Sequence, residues 1–136
     1  MIGRLRERTR GEAGTAVVEF VMISALVMGL LLAVLQVAVY VHVRNVVAAS
    51  AQEGARYAAN ADVDSGAGAG RTLDIVRGAL GGSTAEGLTC QSAEQLDATG
   101  LVLVVVECTG AVPALFGALG DLLPVNATGQ AIKEGQ

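Results

Sequence analysis

The chain has 136 residues, of which 52% are hydrophobic, yet only 3% are aromatic and none is Trp. Its formal net charge is −4, and it has one His, two Cys and 18 Gly. That balance is unusual for a compact soluble enzyme and leaves room for one small domain beside a membrane segment, and the basic head is too short and too close to the apolar run to suit a nucleic-acid binder.

The order of the residues sharpens this. Residues 1–14 are polar, basic and Gly-containing, with Arg4, Arg6, Arg8 and Arg10 beside Glu7 and Glu12; they read as a leader and not as a folded element. From Phe20 to Val43 there follow 24 residues without Asp, Glu, Lys or Arg. As a helix rising 1.5 Å per residue this run is about 36 Å long, enough to cross a hydrocarbon layer of about 30 Å. Four arginines precede the run, and only Arg44 and Arg56 lie close behind it. The positive-inside bias therefore places the N-terminus in the cytoplasm and the remainder outside, in a single-pass arrangement with the lipid bilayer as a partner.

Helical patterning continues past the run. Val43, Val46, Val47, Ser50, Ala51, Gly54 and Ala58 fall on one stripe; Asn45, Gln52, Glu53, Arg56 and Asn60 fall opposite, with Glu53 and Arg56 spaced for a weak pair. One continuous helix is expected from about Thr15 to Ala59. Residues 60–70 then read as a break, rich in Asp and alternating Gly. Arg71 to Leu80 predicts a short helix stopped by Gly81-Gly82.

The last third reads as β-rich. Leu101 to Thr109 suits a central strand, Leu88 to Ser92 a weaker one, and Asp97 to Gly100 the turn between them. Val125 to Ile132 predicts a third strand. Val112 to Leu123, bounded by Pro113 and Pro124 and containing Leu115, Phe116 and Leu119, reads as an apolar cover. The expected fold class is α+β, with a leader over 1–14, a transmembrane and amphipathic helix over 15–60, and a small extracytoplasmic antiparallel sheet domain over 61–136.

Cys90 and Cys108 fall in the part expected outside, where disulfides persist, and their even count favours a bridge. It would join the first two strands. A metal site would need more ligands than these cysteines and His42 supply. His42 sits alone at the membrane edge as an interfacial side chain. Gly66-Ala67-Gly68-Ala69-Gly70 lacks the Lys-Ser/Thr of a phosphate loop, and Asn126-Ala127-Thr128 is a short sequon match without weight. With no paired base and nucleophile, neither enzymatic activity nor a cofactor is expected. In the apolar run Ala25, Gly29 and Ala33 recur every four residues, a spacing that lets helices pack closely in lipid.

The sharpest motif is Gly14-Thr15-Ala16-Val17-Val18-Glu19-Phe20. A basic leader ends in Gly, and a Glu follows five residues later at the edge of the apolar helix. This resembles a type IV prepilin head. The resemblance implies cleavage after Gly14 by a prepilin peptidase, an α-amino group on Thr15, and a subunit-assembly role for Glu19 and Phe20. A second motif, Ala51-Gln52-Glu53-Gly54-Ala55-Arg56-Tyr57-Ala58-Ala59, resembles the A-x-E-G-A-R-Y-A stretch of TadE-like proteins, pseudopilins of the tight-adherence (Tad) pilus system. Glu53, Gly54, Arg56 and Tyr57 carry that likeness. It implies other Tad pilus subunits and assembly-platform proteins as partners. The major Tad pilins are usually much shorter and carry Tyr after the Glu. Phe20 and the sizeable C-terminal domain therefore fit a minor component. The alternatives are a membrane-anchored extracytoplasmic binding module unrelated to pili, and a secreted chain cut near Ala48 to Ala51.

Overall fold

The computed structural model describes residues 3–113 and 122–135, with side chains over 14–111 and 123–135. The chain divides into two units between Val37 and Ala38. Helix α1, Gly3–Ala59, contributes to both. It begins earlier than the Thr15 expected from the sequence. Residues 3–13 are mostly Arg, Glu, Leu and Ala without Pro, each Gly costs only about 1 kcal/mol in a helix, and propagation from an established helix avoids the nucleation cost.

The second unit is built on the amphipathic end of α1. After it come α2 (Ala67–Leu80), α3 (Gly82–Glu86), and strands β1 (Leu88–Leu96), β2 (Val102–Pro113) and β3 (Leu122–Ile132). The strands form an antiparallel meander in the order β1-β2-β3. This is the α+β class expected, with a long apolar helix ahead of a small antiparallel sheet. Period-two alternation divides β2: Val104, Val106 and Cys108 are fully buried on the inner face, whereas Glu107 and Thr109 are exposed on the outer one. Val43, Val47, Ala51 and Ala55 of α1 pack with Val106, Cys108, Val125 and Ala127 of the sheet and Val76 of α2. Burying each such Val contributes about 1.5–3 kcal/mol to the domain's stability.

Several boundaries differ from expectation for local reasons. Helix α2 starts at Ala67, inside the segment read as a break: the Asp64 carboxylate accepts a hydrogen bond from Gly66 N (2.8 Å), and Gly68 is buried against Gly54, Ser92 and Val106. Gly81 ends α2 with φ +94°, but the chain resumes as α3 instead of simply stopping. Strand β1 runs on to Leu96 because Ala93 to Leu96 pair with the strongly β-forming Val105 to Val102. Strand β3 starts at Leu122 because Pro124 is tolerated on an edge strand. The turn expected after β1 forms as read. Asp97 Oδ1 accepts from Thr99 N at 2.6 Å and Leu101 N at 3.3 Å, and Gly100 takes φ +87°. Leu115, Phe116 and Leu119 of the anticipated apolar cover lie outside the described residues.

Cys90 and Cys108 stand directly opposite each other in the β1–β2 register and form a disulfide, with their Cα atoms 4.1 Å apart.

Three side chains tie β3, or the residue just past it, to α1. The Tyr40 hydroxyl donates to the Pro124 carbonyl at 2.9 Å. The Gln52 amide meets the outward backbone edge of Gln130 twice, donating from Nε2 to its carbonyl (2.8 Å) and accepting from its N–H (3.2 Å). Lys133 Nζ donates to the carbonyls of Ala58 (2.9 Å), Asn60 (3.3 Å) and Val63 (2.7 Å), capping the C-terminal end of α1. From Tyr40 to Ala58 the helix climbs about 27 Å, and from Pro124 to Lys133 the strand climbs about 31 Å. The similar rises let β3 run alongside α1 in the same direction, rung by rung.

Candidate membrane and assembly helix

Residues 14–31 of the first unit are all exposed. Between Gly14 and Ala59, α1 contains a window of mean hydropathy 2.6, none of it buried within the chain. It is the one helix among the described residues long and apolar enough to cross a membrane. Val17, Val18, Val21, Ile23, Leu26, Leu30 and Val34 are exposed around the helix, in place of a stripe turned toward a core. An apolar surface on every side needs an apolar environment on every side.

The motif residues of the head lie on this surface. Gly14 has nothing within 4 Å of where a side chain would stand, so its flank is open. Glu19 is exposed, next to Phe20, which keeps 72% of its surface. Ala25, Gly29 and Ala33 are exposed too, one turn apart, and Gly29 also has open space where a side chain would project. The fold thus places Gly14, Thr15, Glu19 and the small-residue stripe on one accessible helix.

The second motif separates into two faces. Gly54, Ala55, Ala58 and Ala59 are buried, while Glu53, Arg56 and Tyr57 are exposed. Gly54 is the crossing point of α1 and α2: a Cβ there would overlap Thr72 Oγ1 and come to 2.6 Å from the Gly68 carbonyl. Thr72 is fully buried and bridges the two helices, its hydroxyl 2.8 Å from the Gly68 carbonyl and 3.3 Å from the Ser50 carbonyl. Tyr57 turns to α2, where the Arg71 guanidinium lies 5.7 Å from its ring centroid, within cation–π range. Glu53 and Arg56, spaced for a pair, do not form one; among the described residues the ion pair is Arg77–Asp74, on α2.

Tyr40, Gln52, Thr72 and Lys133 carry no local signature of their roles, because each acts on a partner far along the chain. The available signals were slight. Lys133 is the one lysine, and Thr72 is a polar residue on the apolar side of α2. His42 is exposed, and among the described residues no cluster of His, Cys, Asp and Glu is placed to hold a metal ion. The Asp97 carboxyl, in the β1–β2 turn, is held below its ordinary value, first by the Thr99 hydroxyl and then by backbone N–H groups; burial opposes them.

The apolar surface, the Gly14–Glu19 head and the buried small residues through Gly54 form one continuous segment. Residues 14–56 match the family model described as TadE-like protein. This segment is similar to TadE-like proteins. The match takes in the head and the apolar run and ends at Arg56, so the sheet lies beyond it. No curated protein and no solved structure matches the chain.

Proposed function

We propose that the protein is a minor pseudopilin, a membrane-anchored assembly component of a Tad-type pilus that joins other subunits through its N-terminal helix. The observation that carries this reading is the TadE-like match over 14–56, which starts at Gly14 and includes Glu19 on a helix whose apolar surface is unburied by its own chain. The leader stays in the cytoplasm, and the sheet domain stands outside. A prepilin peptidase cuts after Gly14 and leaves an ammonium group on Thr15.

In this reading Glu19 is the assembly residue. A carboxylate at the membrane edge is costly to desolvate, and so is a new ammonium at the same depth. Between neighbouring subunits each offsets the desolvation of the other, and the pair sets the register of one helix against the next. Phe20 and the Ala25, Gly29 and Ala33 stripe supply the close apolar contact beside it.

One substitution tests the mechanism. Glu19→Ala removes a charge from the membrane edge, so insertion is kept or improved. Recovery of other pilus components with the variant is lost, or piliation falls. Normal piliation with unchanged partner recovery would refute the assembly role of Glu19. Intact mass of the wild-type chain from cells with an active prepilin peptidase checks the processing step: loss of residues 1–14 is expected, and an unprocessed chain overturns it.

A further inference from the structure

We propose that the Tyr40–Pro124 end of the sheet domain is seated in the lipid headgroup layer, so that the bilayer interface is a binding surface for the domain and not only for the helix. The proposal rests on α1 crossing the membrane. The apolar run from Phe20 to Val43 holds 24 residues, whereas a hydrocarbon layer of about 30 Å takes about 20 helical residues. The run is therefore longer than the hydrocarbon by about one turn, and its last turn, beginning near Tyr40, falls at the interface.

That same turn belongs to the domain. Val43 is buried in the domain core, and Val39 and Tyr40 pack against it. The domain core thus takes its first residues, Val39 to Val43, from the apolar run itself. The Tyr40 hydroxyl holds the Pro124 carbonyl at 2.9 Å, which brings the start of β3 to the depth of Tyr40. Tyr is the residue type enriched at this depth, with an apolar ring and a polar tip. Pro124 is exposed and has no N–H left to satisfy, and its neighbour Leu123 is half-buried. Arg44, one turn past Tyr40, is the single base at this end, and no Lys or Arg lies between Arg77 and Lys133; one base is too few for a basic patch, so the seat is chiefly interfacial and apolar.

The alignment of β3 with α1 turns the domain into a depth scale. Pro124 lies level with Tyr40, Gln130 with Gln52, and Lys133 with Ala58. Lys133 N also bonds the Val102 carbonyl, so the β1–β2 turn at Ala98 belongs to the topmost rung, about 30 Å above Pro124 along the strand.

Because the chain has no Trp, a single introduced Trp reports depth without background. The full chain is reconstituted in phosphatidylcholine vesicles brominated near the top of the acyl chain, and Trp emission is compared with that in unbrominated vesicles. Leu31→Trp, in the apolar run, reports on membrane crossing. Pro124→Trp reports the seat, and Ala98→Trp the far end. Asn126→Trp, about 7 Å further along β3, supplies a second reading if Pro124→Trp fails to fold. The expected result is strong loss of emission at positions 31 and 124, a smaller loss at 126, and none at 98. Quenching at 31 without quenching at 124 or 126 overturns the seat while leaving the crossing intact. Quenching at 98 equal to that at 124 overturns it as well, since the domain would then lie on lipid by another face. No quenching at 31 removes the crossing and the seat together.

Discussion

Gly54→Ala sets two effects of known size against each other. In an exposed helix interior the change is favourable by about 0.5–1 kcal/mol, because Ala loses less backbone entropy than Gly. At Gly54 the added methyl overlaps Thr72 Oγ1 and presses on the Gly68 carbonyl, and the second of these is backbone that a rotamer change cannot move. Overpacking of this kind costs about 1–3 kcal/mol. Turning Thr72 aside would also strand a buried hydroxyl that now bonds Gly68 and Ser50, at about 1–3 kcal/mol. The net expectation is destabilisation by about 1–5.5 kcal/mol. For a domain of this size that lowers Tm by at least about 4 °C. Gly78→Ala is the matched control: Gly78 lies on α2 with nothing within 4 Å of the new methyl, so it should gain about 0.5–1 kcal/mol. Amide hydrogen exchange of the β2 core in detergent micelles reads the domain without the signal of the apolar run. Equal or greater protection in Gly54→Ala than in the wild type would refute the claim that Gly54 is required by the α1–α2 crossing.

Replacing Cys90 and Cys108 together by Ala should cost about 3 kcal/mol, the chain-entropy value for a loop of this order, and thiol labelling of the unreduced, denatured wild type should find neither cysteine free. Lys133→Met keeps the stem but removes three charge-assisted bonds to carbonyls at the end of α1; a loss of about 1.5–3 kcal/mol is expected, with hydrogen exchange rising first over residues 55–63. The folded-state pKa of Asp97 lies below its unfolded value of 3.8, so its contribution to stability is present above that pH and is lost as pH falls through the lower folded value. Acid melts of Asp97→Ala should therefore be flatter than those of the wild type below pH 3.8, and coincident slopes would show that the turn does not use the charge.

Features that depend on local pattern were legible in the sequence: the apolar run, the buried stripe on α1, the three strands and the opposed cysteines all follow from periodicity and composition. The edges of elements were harder. Ala67 to Gly70 looked like a break because Gly is a poor helix former, yet small size at Gly68 is what lets α2 approach Gly54 and β2. The TadE-like motif was recognisable as letters, but its division into buried Gly54 and Ala58 and exposed Glu53 and Arg56 needed the position of α2. By periodicity Gln52 belongs to the polar side of the helix. Its role depends on Gln130, 78 residues away, and no local pattern carries a contact at that separation. Glu19 is the reverse case: its residue type and spacing are informative, while the fold of one chain leaves it on an open surface.

The alignment of β3 with α1 has a mechanical side. Tyr40–Pro124, Gln52–Gln130 and Lys133–Ala58 join the same two parallel elements at three heights. A force drawn along the helix axis would load all three joints at once, in shear, together with the apolar contact between them. A force applied at the C-terminus would reach the Lys133 joint first and open the others in turn. A subunit held by its N-terminal helix in a loaded fibre would meet the first geometry, in which the bonds resist together.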